Sequence, residues 1–305
     1  MNILLAGGSG LIGRSLMIRL LADQHHITLL SRRPAGATRS LPDSVAVLAW
    51  DARSSGPWTD QLERTDAVIN LSGESVAARR WNKRQKQRLV ASRLDSTRAL
   101  VNAIGQARRR PHLLVNASAI GYYGNVPDGI VTEADSAGTG FFPDLCRRWE
   151  AEAMRAEEFG LRVVVLRTGL FLDRKEGALP RFLIPMRLFA GGPVGSGHQG
   201  VTWIHRDDAV RAVSFILGHE RLSGPVNLTA PGPVSMREFA RTLGQVLHRP
   251  SWIRIPQWSV RLVLGEMAGP LVLEGQRVLP EKLLSEGFQF SYPTLLPALQ
   301  NILQG

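Results

Sequence analysis

The sequence predicts an α/β protein built on a doubly wound parallel sheet, and three features predict it. Short apolar runs alternate with segments of helical period from the N-terminus to about residue 230. A glycine triplet, Gly7, Gly10 and Gly13, separates the first apolar run from the first helical pattern. Polar and glycine-rich segments follow the carboxyl ends of the strands, which is where open parallel sheets bind ligands. This alternation implies right-handed crossovers and a parallel sheet.

Taken in order, Ile3 to Ala6 reads as a buried strand, and Leu11, Ile12, Leu16, Ile18, Leu20 and Leu21 continue as a helix. Ile27 to Leu30 is the second strand, Val45 to Ala49 the third and Ala67 to Leu71 the fourth. A long helical region runs from about Asn82 to Ala107, and Leu113 to Asn116 forms the fifth strand. Gly138 to Phe159 reads as another long helix, and Arg162 to Leu166 as the sixth strand. Beyond Gly169 the pattern changes. The segment 177–200, with its run Gly191-Gly192-Pro193-Val194-Gly195-Ser196-Gly197, reads as a loop-rich insertion and candidate lid. Val201 to Ile204 is a short strand, with Asp207 or Asp208 capping a helix through Leu217, and Val226 to Leu228 is a final strand. Ser235 and Glu238 have the spacing of a capping box and open a helix to Leu247. The division expected is a Rossmann-type domain over 1–230, insertion included, and a small C-terminal α+β subdomain over 231–305.

The glycine triplet carries the first functional inference. After a strand, Gly7 allows a sharp turn, Gly10 leaves room for a pyrophosphate against bare amides, and Gly13 lets the helix pack closely on the sheet. The helix N-terminus itself favours an anion. The second strand ends in Ser31-Arg32-Arg33, where an NAD-specific protein usually carries an acid for the ribose 2′-hydroxyl. Arginine there suits a 2′-phosphate, so the expected cofactor is NADP.

Composition sets the bounds. The 305 residues are 44% apolar and 21% charged, an ordinary globular balance. The chain starts directly in a strand, and Val260 to Leu273 is too interrupted to span a bilayer, so a cytoplasmic protein with no membrane partner is expected. The single cysteine, Cys146, rules out an intramolecular disulfide framework and reads as a buried structural thiol. The net charge is +11, and between Glu74 and Arg110 eleven basic residues face two acids, nine of the excess charges. That stretch is a solvated helix face, a phosphate-rich ligand site or a nucleic-acid surface; with no nucleic-acid motif present, no nucleic-acid partner is expected. The seven histidines show no metal-ligand spacing, so no metal site is expected. A small-molecule substrate is the expected partner, and the oligomeric state is left open, a homodimer among the options.

A wider set of motifs then comes together: Asn70-Leu71-Ser72-Gly73-Glu74, Arg80-Trp81, Ser92-Arg93, Ser118 through Tyr122-Tyr123-Gly124, and Trp149-Glu150. Arg167-Thr168-Gly169, Trp203-Ile204-His205, Leu273-Glu274-Gly275-Gln276 and Gly287-Phe288-Gln289-Phe290 complete it. With these the chain resembles an extended short-chain dehydrogenase/reductase of the nucleoside-sugar epimerase branch, and most closely the YfcH-like epimerase family proteins, whose C-terminal domain has no assigned function. The resemblance implies NADP held by the loop from Gly7 to Gly13, Leu11 and Ile12 included, and by Ser31, Arg32, Arg33, Leu71, Ser72, Gly73 and Arg93. It also puts the backbone near Phe171 beside the nicotinamide.

Hydride transfer in that superfamily uses a tyrosine whose pKa is lowered by a lysine four residues on, with a serine or threonine polarising the substrate oxygen. Four positions after Tyr122, Tyr123 and Tyr292 stand Val126, Pro127 and Leu296, so the chain has no Tyr-x-x-x-Lys. Ser118 either orients a substrate carbonyl or caps a strand-end turn. Tyr122 or Tyr123 supplies the proton from the loop, or else one ring packs under the lid and the other faces solvent. His205 either does acid/base work or fixes the start of the next helix. Two readings follow: an NADP-dependent oxidoreductase or epimerase with Ser118, Tyr122 and Tyr123 as catalytic candidates, or a non-catalytic NADPH-binding sensor.

Overall fold

Seven parallel strands form one sheet, and their connections wrap both of its faces. The computed structural model describes residues 1–38 and 41–304. β1 (Asn2–Ala6) leads through α1 (Leu11–Ala22) to β2 (His26–Ser31), then α2 (Pro34–Thr38), β3 (Ala46–Ala49) and β4 (Ala67–Asn70). α3 (Lys83–Gln106), β5 (Leu113–Ala119), α4 (Phe141–Met154) and β6 (Arg162–Thr168) follow. The remainder holds β7 (Leu170–Leu172), α5 (Leu179–Arg187), β8 (Gly200–Val201), β9 (Trp203–His205), α6 (Arg206–Gly218) and β10 (Gly224–Leu228). It ends with β11 (Val234–Ser235), α7 (Met236–Leu247), α8 (Gln257–Leu264), α9 (Glu281–Ser285) and α10 (Leu295–Gln304).

The sheet order is β10-β6-β5-β4-β1-β2-β3. The chain reverses direction across the sheet between β1 and β4, and a crevice opens at such a switch point above the carboxyl ends. The strands are apolar on both sides because both sides are covered. Leu16, Leu20, Val213 and Ile216 from α1 and α6 pack with Ile3, Leu5 and Ile69 on one face. Leu100 and Ile104 from α3 and Ala153 from α4 pack with Leu4, Val68 and Val163 on the other. A third core, with Trp203, Phe239, Leu243 and Leu299, unites β9, α7 and α10 beside the sheet.

Several elements depart from the sequence reading for local reasons. The helix expected to Phe159 is α4, followed by a tighter turn over Arg155–Phe159 that ends on Gly160 in the left-handed region. α6 is capped not by Asp207 or Asp208 but by His205, whose ring accepts from the Asp207 amide, and both acids lie in its first turn. The insertion is more ordered than a loop: α5 buries Leu179, Leu183 and Met186 in the third core. The capping box at Ser235 and Glu238 forms as its spacing predicts, with both reciprocal bonds present.

Candidate active site and dinucleotide crevice

The glycine loop is built so that side chains would not fit. Gly7 has φ +79°, and a Cβ on it would stand 2.5 Å from the Leu71 carbonyl carbon and 2.8 Å from the Ser72 amide nitrogen. A Cβ on Gly13 would meet the Gly7 carbonyl oxygen at 2.4 Å. Gly10, which donates to the Gly7 carbonyl at 3.0 Å, is the N-cap of α1 and offers no side-chain acceptor. The amides of Leu11, Ile12 and Gly13 therefore have no partner from within their helix, and no acid stands in that first turn. The loop is a cradle of free donors at the positive end of a helix.

From this cradle a crevice of about 1070 Å³ runs along the carboxyl ends of β1, β2, β3 and β4. It is lined by Gly7, Gly10, Ser31, Arg32, Arg33, Leu71, Ser72 and Gly73 among the residues the sequence singled out. Trp50, Asp51, Ala52 and Arg53 after β3 line it too, as do Arg84, Arg88 and Ser92 on α3. The signal for these was the end of the third strand and the basic stretch, both legible but not assigned to a common wall. Five arginines of the lining face only Asp51 and Glu74. Glu74 is taken by Arg88 at 3.3 Å and Arg53 reaches Asp95 at 3.7 Å, while the Asp51 carboxylate accepts from the Arg53 and Ser54 amides. Among the described residues Arg32, Arg33 and Arg84 have no carboxylate within ion-pair distance. The crevice is set for an anion.

Arg93 lies just beyond Gly73. Its guanidinium sits 5.1 Å over the Trp149 ring, and its Cζ is 3.4 Å from where a Gly73 Cβ would be. Burial lowers its pKa, with Cys146 and Glu74 opposing. No carboxylate pairs with it among the described residues, so this largely desolvated cation is held by a ring face and the Leu89 carbonyl, 3.1 Å away. The basic stretch thus serves several ends: Arg84 and Arg88 line the crevice, Arg93 packs beside Gly73 on the Trp149 ring, and Arg98 pairs with Glu152 at the surface.

Under the crevice, Asn70 and Asn116 face each other across β4 and β5. Asn70 Nδ2 donates to Asn116 Oδ1 at 2.7 Å and to Thr97 Oγ1 at 3.1 Å, and Trp149 Nε1 donates to the same hydroxyl at 3.0 Å. The remaining Asn70 oxygen accepts from the Ser72 amide at 3.1 Å, which fixes the turn that lines the crevice. The signal missed here was a single asparagine at the end of each apolar strand.

The three catalytic candidates gather around Arg167. Parallel register sets Ser118 of β5 and Asn227 of β10 on either side of it in β6. Arg167 donates to Glu150 of α4 through Nε at 3.0 Å and Nη2 at 2.8 Å, and Ser118 Oγ donates to the same carboxylate at 2.6 Å. Arg167 Nη1 donates to the Tyr123 hydroxyl at 3.0 Å, which donates to Asn227 Oδ1 at 2.7 Å. Burial pushes the Tyr123 phenol up to about 12, and Arg167 opposes the shift without cancelling it. The Tyr122 ring lies 3.5 Å from the Arg167 guanidinium, edge to face with Tyr123, and among the described residues its hydroxyl has no hydrogen-bond partner. Cys146 is buried against this cluster, and burial first, then Glu150, pushes its thiol up to about 12.

Phe171 is buried in β7, and a Cβ on Gly177 would stand 3.5 Å from its carbonyl oxygen and 3.0 Å from Leu11 Cδ2 at the start of α1. Arg14 and Glu176 pair across the same junction. His205 stands apart from the crevice: it is fully buried, Nδ1 accepts from the Asp207 amide at 3.0 Å, and Nε2 donates to Asn301 at 3.1 Å. Among the described residues no three His, Cys, Asp or Glu side chains cluster to hold a metal, and no helix is long and apolar enough to cross a membrane.

Residues 3–228 match the model of the NAD dependent epimerase/dehydratase family, and residues 255–302 match a domain of unknown function. An epimerase family protein of Mycobacterium leprae is 40% identical over 298 residues, covering 97% of this chain and 94% of its own. The Bacillus subtilis epimerase family protein YfhF is 36% identical over 305 residues, covering 99% and 98%. Among solved structures, human epimerase family protein SDR39U1 with NADPH superposes with a TM-score of 0.87 at 35% identity, covering 100% of this chain and 99% of that one.

Proposed function

Because the chain belongs to the NAD dependent epimerase/dehydratase family, we propose that it binds NADPH in the crevice and acts on a small substrate beside Tyr122. The observation that carries this reading is the cradle at Gly7 and Gly13 opening on a crevice with unpaired Arg32 and Arg33 at its far wall. The free amides of Leu11, Ile12 and Gly13 bind a diphosphate, Arg32 and Arg33 bind the 2′-phosphate, and Arg93 neutralises charge near Gly73. The absence of an acid after β2 favours NADP over NAD. The human relative was solved with NADPH, which supports the same choice.

NADPH supplies a hydride when bound. The proton is the protein's part. Ser118 and Tyr123 spend their hydroxyl hydrogens on Glu150 and Asn227, which leaves Tyr122 as the free donor. The Arg167 guanidinium lies against its ring and holds that ring beside the cluster. This is the reading of an oxidoreductase or epimerase acting on a nucleotide-sugar or other phosphorylated small molecule.

The commitment of Ser118 and Tyr123 to an internal network favours a second reading, a non-catalytic NADPH sensor. Calorimetry with NADPH and NADH tests the shared premise: no heat with either, on folded protein, defeats both readings. Following nicotinamide absorbance against a panel of sugar nucleotides and carbonyl compounds then separates them. Turnover that Tyr122→Phe abolishes supports the enzyme; nucleotide binding without turnover across the panel supports the sensor.

A further inference from the structure

Of the large apolar side chains left exposed among the described residues, most lie on one face built from two segments distant in sequence. Ile184, Leu188 and Phe189 belong to α5 and its exit, and Trp252, Ile253, Trp258, Leu262 and Val263 to α8 and its approach. The segments are stitched together by backbone: Ile255 donates to the Pro193 carbonyl at 3.0 Å and Gly195 to the Ile255 carbonyl at 2.9 Å. Across the seam the Arg249 guanidinium sits 4.6 Å over the Phe189 ring.

α8 is unusual in that none of its residues is buried. Trp258 and Leu262, four residues apart and therefore on one side, are 69% and 71% exposed. The helix is nevertheless held in place. Arg80 donates to the Val263 carbonyl at 2.8 Å and also to that of Leu262, and Met267 just beyond is buried beside Trp81. Residues 179–190 and 249–265 contain Arg181, Arg187, Arg249, Arg254 and Arg261 and no Asp or Glu, and the acid that follows them, Glu266, is paired with Lys86. Among the described residues none of these five arginines pairs with a carboxylate.

We propose that this face docks on an anionic lipid bilayer, with α8 lying in the headgroup layer, Trp258 and Leu262 inserted, and the arginines on lipid phosphates. Tryptophan and leucine flanked by basic residues on a short surface helix are the composition of interfacial anchors. A second copy of this chain fits poorly, since a two-fold contact would set the unpaired arginines against their own equivalents. The apolar side chains also protrude from a helix with no buried residue, a shape that enters a fluid interface without needing a matching groove. This revises the sequence expectation of no membrane partner, which rested on the lack of a spanning segment; the docking face exists only once the fold joins α5 to α8.

The test is co-sedimentation of the whole protein with vesicles of phosphatidylcholine alone and with about one-quarter phosphatidylglycerol, at low and high salt. Binding is expected only with the anionic lipid and should weaken with salt. An Arg254→Glu, Arg261→Glu variant should reduce partitioning at least about 25-fold, each interfacial arginine being worth about fivefold. A Trp258→Ser, Leu262→Ser variant should also lose vesicle binding, and both should keep nucleotide affinity. Equal binding to neutral vesicles, or no binding to either kind, overturns the proposal. So does a dimer in light scattering that these variants dissolve, or retention of the protein by polyglutamate without vesicle binding, which would assign an acidic protein as the partner.

Discussion

Glu150 and Arg167 form a buried two-point ion pair, Nε and Nη2 of the guanidinium donating to the two carboxylate oxygens at 3.0 and 2.8 Å. Both side chains are over 90% covered, at 9% and 3% relative exposure. A pair this deep stabilises the fold only because its remaining atoms are satisfied as well, here by Ser118 on Glu150 and Tyr123 on Arg167.

Removing one partner is therefore costly. Glu150→Ala leaves the Arg167 charge buried without its counter-ion and should cost about 3–5 kcal/mol. Ser118→Ala leaves the ion pair intact and should cost only about 1–2 kcal/mol. Urea unfolding of the two variants checks the order. Equal losses would mean that the pair does not hold the strand ends together.

The same cluster makes the protein sensitive to alkali. Tyr123 titrates near 10 when unfolded and is pushed up to about 12 by burial, and Cys146 is likewise pushed up from 9 to about 12. With the folded pKa above the unfolded one, stability is full below pH 9 and falls as the unfolded chain alone loses protons between pH 9 and 12. Cys146→Ala should remove the first part of that fall and Tyr123→Phe the later part, at the expense of an unfilled Asn227 acceptor. Thermal midpoints measured across this range, compared with wild type, decide the point; unchanged slopes in both variants would contradict it.

At the acid end the group to watch is His205. Burial lowers its pKa below 6.5, against the opposing pull of Asp207 and Asp208. The sign is now reversed: stability is full above pH 6.5 and is lost as the pH falls, because the unfolded ring takes a proton that the folded ring resists. His205→Asn keeps an acceptor for the Asp207 amide, since asparagine caps helices well, and removes the titration. The variant should show a flatter decline in melting temperature below pH 6.5 than is expected of the wild type. A decline of the same steepness would place its origin elsewhere.

Much of this was legible in the sequence because it is local. The glycine spacing, the apolar strands, the Ser235 and Glu238 capping box and the arginines after β2 each depend on neighbours a few residues away. What was not legible depends on register. Arg167 entered the sequence reading only within the Arg167-Thr168-Gly169 motif, and nothing in its vicinity announces Ser118, Glu150, Tyr123 or Asn227, which come from four other elements. The insertion at 177–200 misled for a related reason: its glycines dominate the composition, while Leu179, Leu183 and Met186 reveal their purpose only against α7 and α10. His205 carried two readings, acid/base work or the start of the next helix, and its ring turns back to cap α6 as the second had it.

The cradle and the selectivity site should separate cleanly under mutation. Gly7 combines φ +79° with a Cβ position 2.5 Å from backbone, so Gly7→Ala must displace the Leu71–Ser72 turn that walls the crevice. It should abolish binding of NADPH and NADH alike and lower stability, whereas Gly218→Ala, which meets nothing within 4 Å, should do neither. Arg32→Ala leaves the cradle whole and removes one charged contact to the 2′-phosphate, about 1.5–3 kcal/mol or roughly tenfold to a hundredfold in NADPH affinity. NADH affinity should stay as it was. Calorimetric titration of the three variants with both nucleotides reads the contrast directly, and an Arg32→Ala protein that weakens for both nucleotides equally would assign that arginine to the diphosphate instead.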